Sequence, residues 1–234
     1  MKMNKKTKYY VANQKMAELL LADVHLLSLF ERLGMRLGFG EASVGDICGR
    51  YAISPDLFLA LCDLYSFGDS MPQIDSLGRA DLPVIVALLR ASHRDYTKRY
   101  FPAVHAHIHC IVEELDKASR DVLNRFYDDY DAELNKHFDY EDKVVFPYIE
   151  SLLAGTRIES DYSIELFAKS HSNIEEKLND LKNIIIKYLP ETCLAAERLA
   201  VLRDIFLIEE DLVSHTAIEN RLLIPLVAKL EKEQ

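Results

Sequence analysis

Residues 134–152 read LNKHFDYEDKVVFPYIESL, and residues 212–230 read LVSHTAIENRLLIPLVAKL. Each stretch holds a His, a Glu four residues later and a Pro ten residues after the His: His137, Glu141, Pro147 and His215, Glu219, Pro225. The copies stand 78 residues apart. The same offset pairs His93 with His171, each in a Ser-His step, and Glu133 with Asp211, each one turn before its motif. Side chains four apart on an α-helix share a face. Each motif therefore aims one imidazole and one carboxylate in a single direction.

The spacings set a height for these groups. His93 to His137 is 44 residues, and so is His171 to His215. The midpoints of the successive gaps, near 115, 154 and 193, fall at helix breaks: the polar run Glu113–Asp121, Gly155, and Pro190 with Glu191-Thr192. A chain that climbs and descends equal numbers of residues, at about 1.5 Å each, returns to its starting level. The expected fold is all-α, an antiparallel up-down-up-down four-helix bundle preceded by a small helical domain. Its domains are 1–66, a linker over 67–81 and the bundle over 82–234.

The expected bundle helices run 82–115, 122–153, 162–188 and 193–232. Their seams are Val86, Leu89, His93, Tyr96, Tyr100; then Leu123, Tyr127, Tyr130, Leu134, His137, Glu141, Val144, Tyr148. The third and fourth are Ile164, Phe167, His171, Ile174, Leu178, Leu181, Ile185; and Ile208, Leu212, His215, Glu219, Leu222, Leu226. These are apolar 3-4 stripes broken only by His and Glu. Pro102 should kink the first helix, and Pro147 and Pro225 should bend the ends of the second and fourth.

A lone His on an apolar stripe is more often a core residue than a ligand. Here four seams lose an apolar residue to His at one height, and two lose a second position to Glu. An unpaired buried carboxylate costs several kcal/mol, so two in one core call for a cation. Six protein ligands, His93, His137, Glu141, His171, His215 and Glu219, suit two ions better than one. Each Glu can bridge the ions and two histidines can cap each, leaving positions for an oxo or hydroxo bridge and a small ligand. Imidazole with carboxylate fits iron, manganese or zinc, and the residues do not choose among them. Glu133 and Asp211 are candidates to hydrogen-bond the ligand histidines from behind, with a solvated acid at the bundle edge as the alternative.

The rest of the composition excludes other classes. A net charge of −10 argues against binding a phosphate backbone. Residues 1–80 carry nine Lys/Arg and nine Asp/Glu, so the bundle holds all of that charge. The stretch SVGDICGRYAISPDLFLALC superficially resembles a helix-turn-helix, but it carries one Arg against two Asp and lacks a basic recognition face. Cys48, Cys62, Cys110 and Cys193 form no CxxC pair and no disulfide framework. Cys48 and Cys62 read as core. No apolar run is long enough to span a bilayer, and the basic N-terminus lacks the apolar stretch of a signal peptide. A reduced cytoplasm is the expected setting. Asn13 to Leu33 reads as one amphipathic helix stopped by Gly34, followed by short helices from Val44 and from Pro55. His105, His107 and His109 alternate, so they cannot share one helix face and are expected at the surface or at a kink; His25 has no assigned role.

The order His, His-x3-Glu, His, His-x3-Glu resembles hemerythrin-like domains. The segments HFDYEDKVVFPYIE and HTAIENRLLIPLV are most similar to the bacterial di-iron proteins implicated in repairing iron–sulfur clusters after nitrosative and oxidative stress. The resemblance covers about 82–230. It implies two non-haem irons, with His93, His137, His171 and His215 terminal and Glu141 and Glu219 bridging. Oxygen-carrying hemerythrins have a fifth His one turn after the third ligand; Glu175 stands there, which favours the repair-type branch over oxygen carriage. Glu175 reads as a solvated acid, with weak ligation as the alternative. FERLGMRLGFG resembles the segment where that family carries adjacent cysteines, yet Gly38 and Phe39 stand there, so thiol chemistry at that place is absent. The implied partners are nitric oxide, oxygen or peroxide, and damaged iron–sulfur proteins that would accept iron. A non-catalytic redox or gas sensor acting through the N-terminal domain, or a plain iron-binding protein, stays open beside an enzyme. A homo-oligomer is compatible with the sequence.

Overall fold

The computed structural model describes residues 10–68, 71–156, 162–170, 174–191 and 193–233. His171 and the side chain of Glu175 lie outside the described residues. The described chain is all-α, with a single isolated β-bridge, Lys15 to Ser43. It gathers into two compact units: 1–89 with 150–168 and 214–234, and 90–149 with 169–213.

In the first unit, α1 is Met16–Ala22, α2 Leu26–Arg32, α3 Val44–Arg50 and α4 Pro55–Ser66. The single helix expected over Asn13–Leu33 is in fact two. Asp23 breaks it, its Oδ1 accepting the His25 N–H at 2.9 Å, so a side chain serves an amide that would otherwise bond within a helix. Gly34 ends α2 at φ 68°; Met35 N–H reaches Phe30 O and Gly34 N–H reaches Glu31 O, a left-handed cap that glycine accepts without strain. Ser43 and Asp46 form a capping box on α3, and Ser54 caps α4 ahead of Pro55. The helices bury Leu19, Leu29, Phe30, Ile47, Leu57 and Phe58, with Phe30 edge-on to Phe58 and Phe39.

Cys48, Cys62 and Cys193 are buried and Cys110 is exposed. Burial pushes the Cys48 thiol up to about 11 and raises Cys62 well above the usual thiol range. The folded protein should therefore react quickly with a disulfide reagent at about pH 8 through Cys110 alone, and through all four thiols after denaturation. A thiol count against time checks this; a second fast thiol in the native protein contradicts the buried positions.

The second unit gathers the portions of the remaining helices that lie within 90–149 and 169–213 around one core. Helix α5 spans 82–113, α6 117–153, α7 Ile164–Ser170, α8 174–188 and α9 195–232. Asp116 caps α6 through Ala118 and Ser119 N–H, so that helix starts inside the polar run expected to be a break. Gly155, at φ 69°, closes its far end, with Thr156 N–H on Ser151 O and Gly155 N–H on Leu152 O. Tyr96, Ile108, Tyr130, Leu134, Leu181 and Ile205 belong to the shared core.

The prolines produce π turns. These occupy Tyr96–Tyr100, Glu141–Val145, Ile184–Tyr188 and Glu219–Leu223. Each begins six residues before a proline: Pro102, Pro147, Pro190 and Pro225. A proline cannot donate its amide and its ring collides with the carbonyl four residues back. A wider turn removes that collision, and the amide of the residue before the proline bonds five residues back: Phe101 to Tyr96, Phe146 to Glu141, Ile224 to Glu219. The extra residue rotates everything after it. Val144, expected in the seam, is 38% exposed, and Val145 and Ile149 are buried instead. Phe101 likewise takes the core position expected for Tyr100.

Candidate metal centre

Both π turns of the repeated stretches start on the motif carboxylate. Glu141 opens one and Glu219 the other, and both are fully buried. At such seam positions a leucine would contribute about 2 kcal/mol by burial, whereas a carboxylate without a counter-charge costs several.

Around Glu141, His93 Nε2 lies 3.0 Å from Oε2 and His137 Nε2 lies 2.6 Å from Oε1. Around Glu219, His215 Nε2 lies 3.2 Å from Oε1. One ligand atom from each of His93, Glu141, His215 and Glu219 falls within 4.8 Å of the others, and all four residues are buried. Neighbouring ligands on one octahedral ion with bonds of about 2.1 Å stand about 3 Å apart, which is the separation of these nitrogen and oxygen atoms. The donor set fits a hard or borderline divalent metal: imidazoles with acid oxygens, no thiolate, little water.

The His93 ring is held on three sides. It stacks on Phe138 at 4.3 Å and on Phe146 at 5.6 Å. Its Nδ1 faces Asp142 Oδ1 at 3.3 Å, which directs Nε2 toward Glu141. Arg90 Nε stands 3.8 Å from the same Asp142 oxygen, and its guanidinium lies 5.4 Å over the Phe146 ring. Burial pushes the Asp142 carboxyl up, but His93, Arg90 and Arg94 outweigh it and hold it below the usual range.

Asp142 has no part in the sequence expectations. It follows a ligand by one residue, and on a regular helix that residue points about 100° away. A signal was present: its counterpart at the 78-residue offset is Asn220, another oxygen acceptor directly after a motif glutamate.

Glu133 and Asp211 are the two acids expected behind the histidines. Glu133 pairs with Lys177. Asp211 accepts a 2.5 Å hydrogen bond from Tyr96 OH, and the Tyr96 ring stacks on Phe138 at 5.4 Å. Asp211 thus steadies the aromatic layer against His93. His107 Nδ1 lies 2.7 Å from Glu197, His105 tilts against Tyr127 at 5.3 Å, and His109 faces Glu113 at 3.6 Å, so the three alternating histidines point to three different neighbours. No described helix is long and apolar enough to cross a membrane.

No curated protein and no solved structure matches the chain significantly. The model of the hemerythrin HHE cation-binding domain matches residues 84–232. That span is well over half the chain and includes the whole buried His/Glu group, whose donors point to metal binding. The chain belongs to the hemerythrin HHE cation-binding domain family.

Proposed function

We propose that the chain is a non-haem di-iron protein of nitrosative or oxidative stress, binding or reducing nitric oxide, oxygen or peroxide, or giving up iron to a damaged iron–sulfur protein. The observation that supports it most is the pair of fully buried carboxylates, Glu141 and Glu219, each with a histidine nitrogen at 3.2 Å or less. The stress role rests on the resemblance of HFDYEDKVVFPYIE and HTAIENRLLIPLV to the repair-type branch, and on Glu175 in place of a fifth histidine. In this reading His93, His137, Glu141, His171, His215 and Glu219 would hold the ions.

Bound iron supplies redox capacity and Lewis acidity. The chain does the rest. Asp142 fixes which nitrogen of His93 faces inward, and Phe138 and Phe146 keep water from that ring. His137, with 10% of its side chain exposed, marks the side from which a small ligand enters. Glu141 and Glu219 balance two of the positive charges in a dry site.

Protein isolated without added metal should hold about two irons per chain and show near-ultraviolet charge-transfer absorption when oxidised. Metal analysis with optical spectra checks this. Zinc as the resident metal, or one ion per chain after anaerobic iron loading, overturns the di-iron reading. Consumption of nitric oxide with an added reductant then separates an enzyme from a sensor.

A further inference from the structure

Helix α9 is apolar on two sides. Val201, Ile205, Ile208 and Leu212 face the core of their unit and are buried. On the opposite side Leu199 is 55% exposed, Phe206 47%, Leu207 61% and Val213 38%. The outer face of α6 shows the contrast, carrying Asn124, Arg125, Asp128, Asp129, Asn135 and Lys136. A helix that is apolar all round is normally covered all round. The exposed residues of α9 also keep a seam spacing: Ala196, Leu199, Arg203, Phe206, Glu210 and Val213 follow one another at three and four residues, the period that packs against another helix. Phe206 is presented in a fixed position. Lys182 Nζ lies 4.8 Å over its ring and is itself held by Glu209 at 2.6 Å.

The order of charges along this face names the occupant. Arg203 stands one turn before the Phe206-Leu207 step and Glu210 one turn after it. Leu199 and Val213 stand two turns before and after Phe206. A face with this pattern is complementary to itself when reversed. A two-fold axis through Phe206-Leu207 sets Arg203 of each copy beside Glu210 of the other, and Leu199 beside Val213, so each contact is made twice. We infer that the exposed face of α9 is the interface of an antiparallel homodimer, with Phe206 and Leu207 on the axis and reciprocal Arg203–Glu210 pairs flanking it. This inference does not depend on the metal.

Sedimentation equilibrium of the full chain between about 1 and 100 μM tests it, and a reversible monomer–dimer equilibrium in that range is expected. Phe206→Glu should abolish the dimer while leaving helicity unchanged, because the residue is about half exposed. Arg203→Glu should weaken it about tenfold or more, since it makes two like-charge contacts, and Glu210→Arg should do the same. The double variant Arg203→Glu/Glu210→Arg should recover wild-type affinity to within about threefold. Recovery requires that the two positions meet across the interface. A chain that stays monomeric at the highest concentration, a dimer that survives Phe206→Glu, or a double variant no tighter than the singles each overturns the inference.

Discussion

If the site holds two ions, replacing Glu141 with Gln should lower the metal content to one ion per chain or fewer, at unchanged helicity. The substitution keeps the size, but it exchanges one acceptor oxygen for an NH2 donor and removes a negative charge from a fully buried position. Two imidazole nitrogens, of His93 and His137, lie within 3.0 Å of this carboxylate. Any ion they share with it therefore loses the charge that balances it. Glu141→Leu separates this account from a structural one. With no metal present, a carboxylate held in the core is a cost, and a leucine there should stabilise the metal-free protein by about 1 kcal/mol or more. The same variant should lose the metal-dependent rise in melting temperature. An acid kept for structure behaves the other way: Glu141→Leu destabilises the apo protein and leaves metal content alone. Melting curves with and without iron, together with metal counts, distinguish the two. If Glu141→Leu and Glu219→Leu both retain two ions, the repeated stretch is not a metal motif.

The buried His/Glu group was legible because the chain repeats. A single His-x3-Glu on an apolar stripe has a bland reading. Two copies at a fixed offset, with His93 and His171 at the same offset, leave much less room for one. His93, Glu141, His215 and Glu219 indeed share one buried place, and His137 touches Glu141. The helix ends were legible where one residue decides them. Gly155 with its left-handed φ and the Ser43 and Ser54 caps are of that kind.

What was not legible is the response of a helix to proline. Pro102 and Pro147 announce a disturbance, but a kink and a π turn look alike in sequence. The choice depends on whether the neighbouring layer has a core position waiting one residue further on. Val145 and Phe101 fill such positions, and the seam changes phase at both. The break at Asp23 was hidden for a related reason. Leu19, Leu26 and Leu29 keep a helical spacing across it, so the period alone joins α1 to α2. A side-chain oxygen on one amide was enough to end the helix there.

The π turn also carries the outer support of the site, and this gives the second large effect. Asp142 sits within the widened turn that Glu141 opens, and its Oδ1 reaches His93 Nδ1 at 3.3 Å. An acceptor on that nitrogen fixes the tautomer in which Nε2 carries the lone pair. Removing it with Asp142→Ala should weaken iron binding by about 10- to 100-fold. Asp142→Asn should restore most of the loss, because a carboxamide oxygen still accepts from Nδ1–H. The amide lacks the charge that Arg90 and His93 stabilise, so recovery is incomplete. Apo stability should barely change in either variant, since the Asp142 side chain is 40% exposed and an exposed pair contributes about 1 kcal/mol or less. Chelator competition gives the affinities, and apo melting curves give the control. A wild-type affinity for Asp142→Ala to within about threefold means that the phenylalanines alone orient His93. Asp142→Asn no better than Asp142→Ala means that charge, not the position of an acceptor, is what the site takes from this residue.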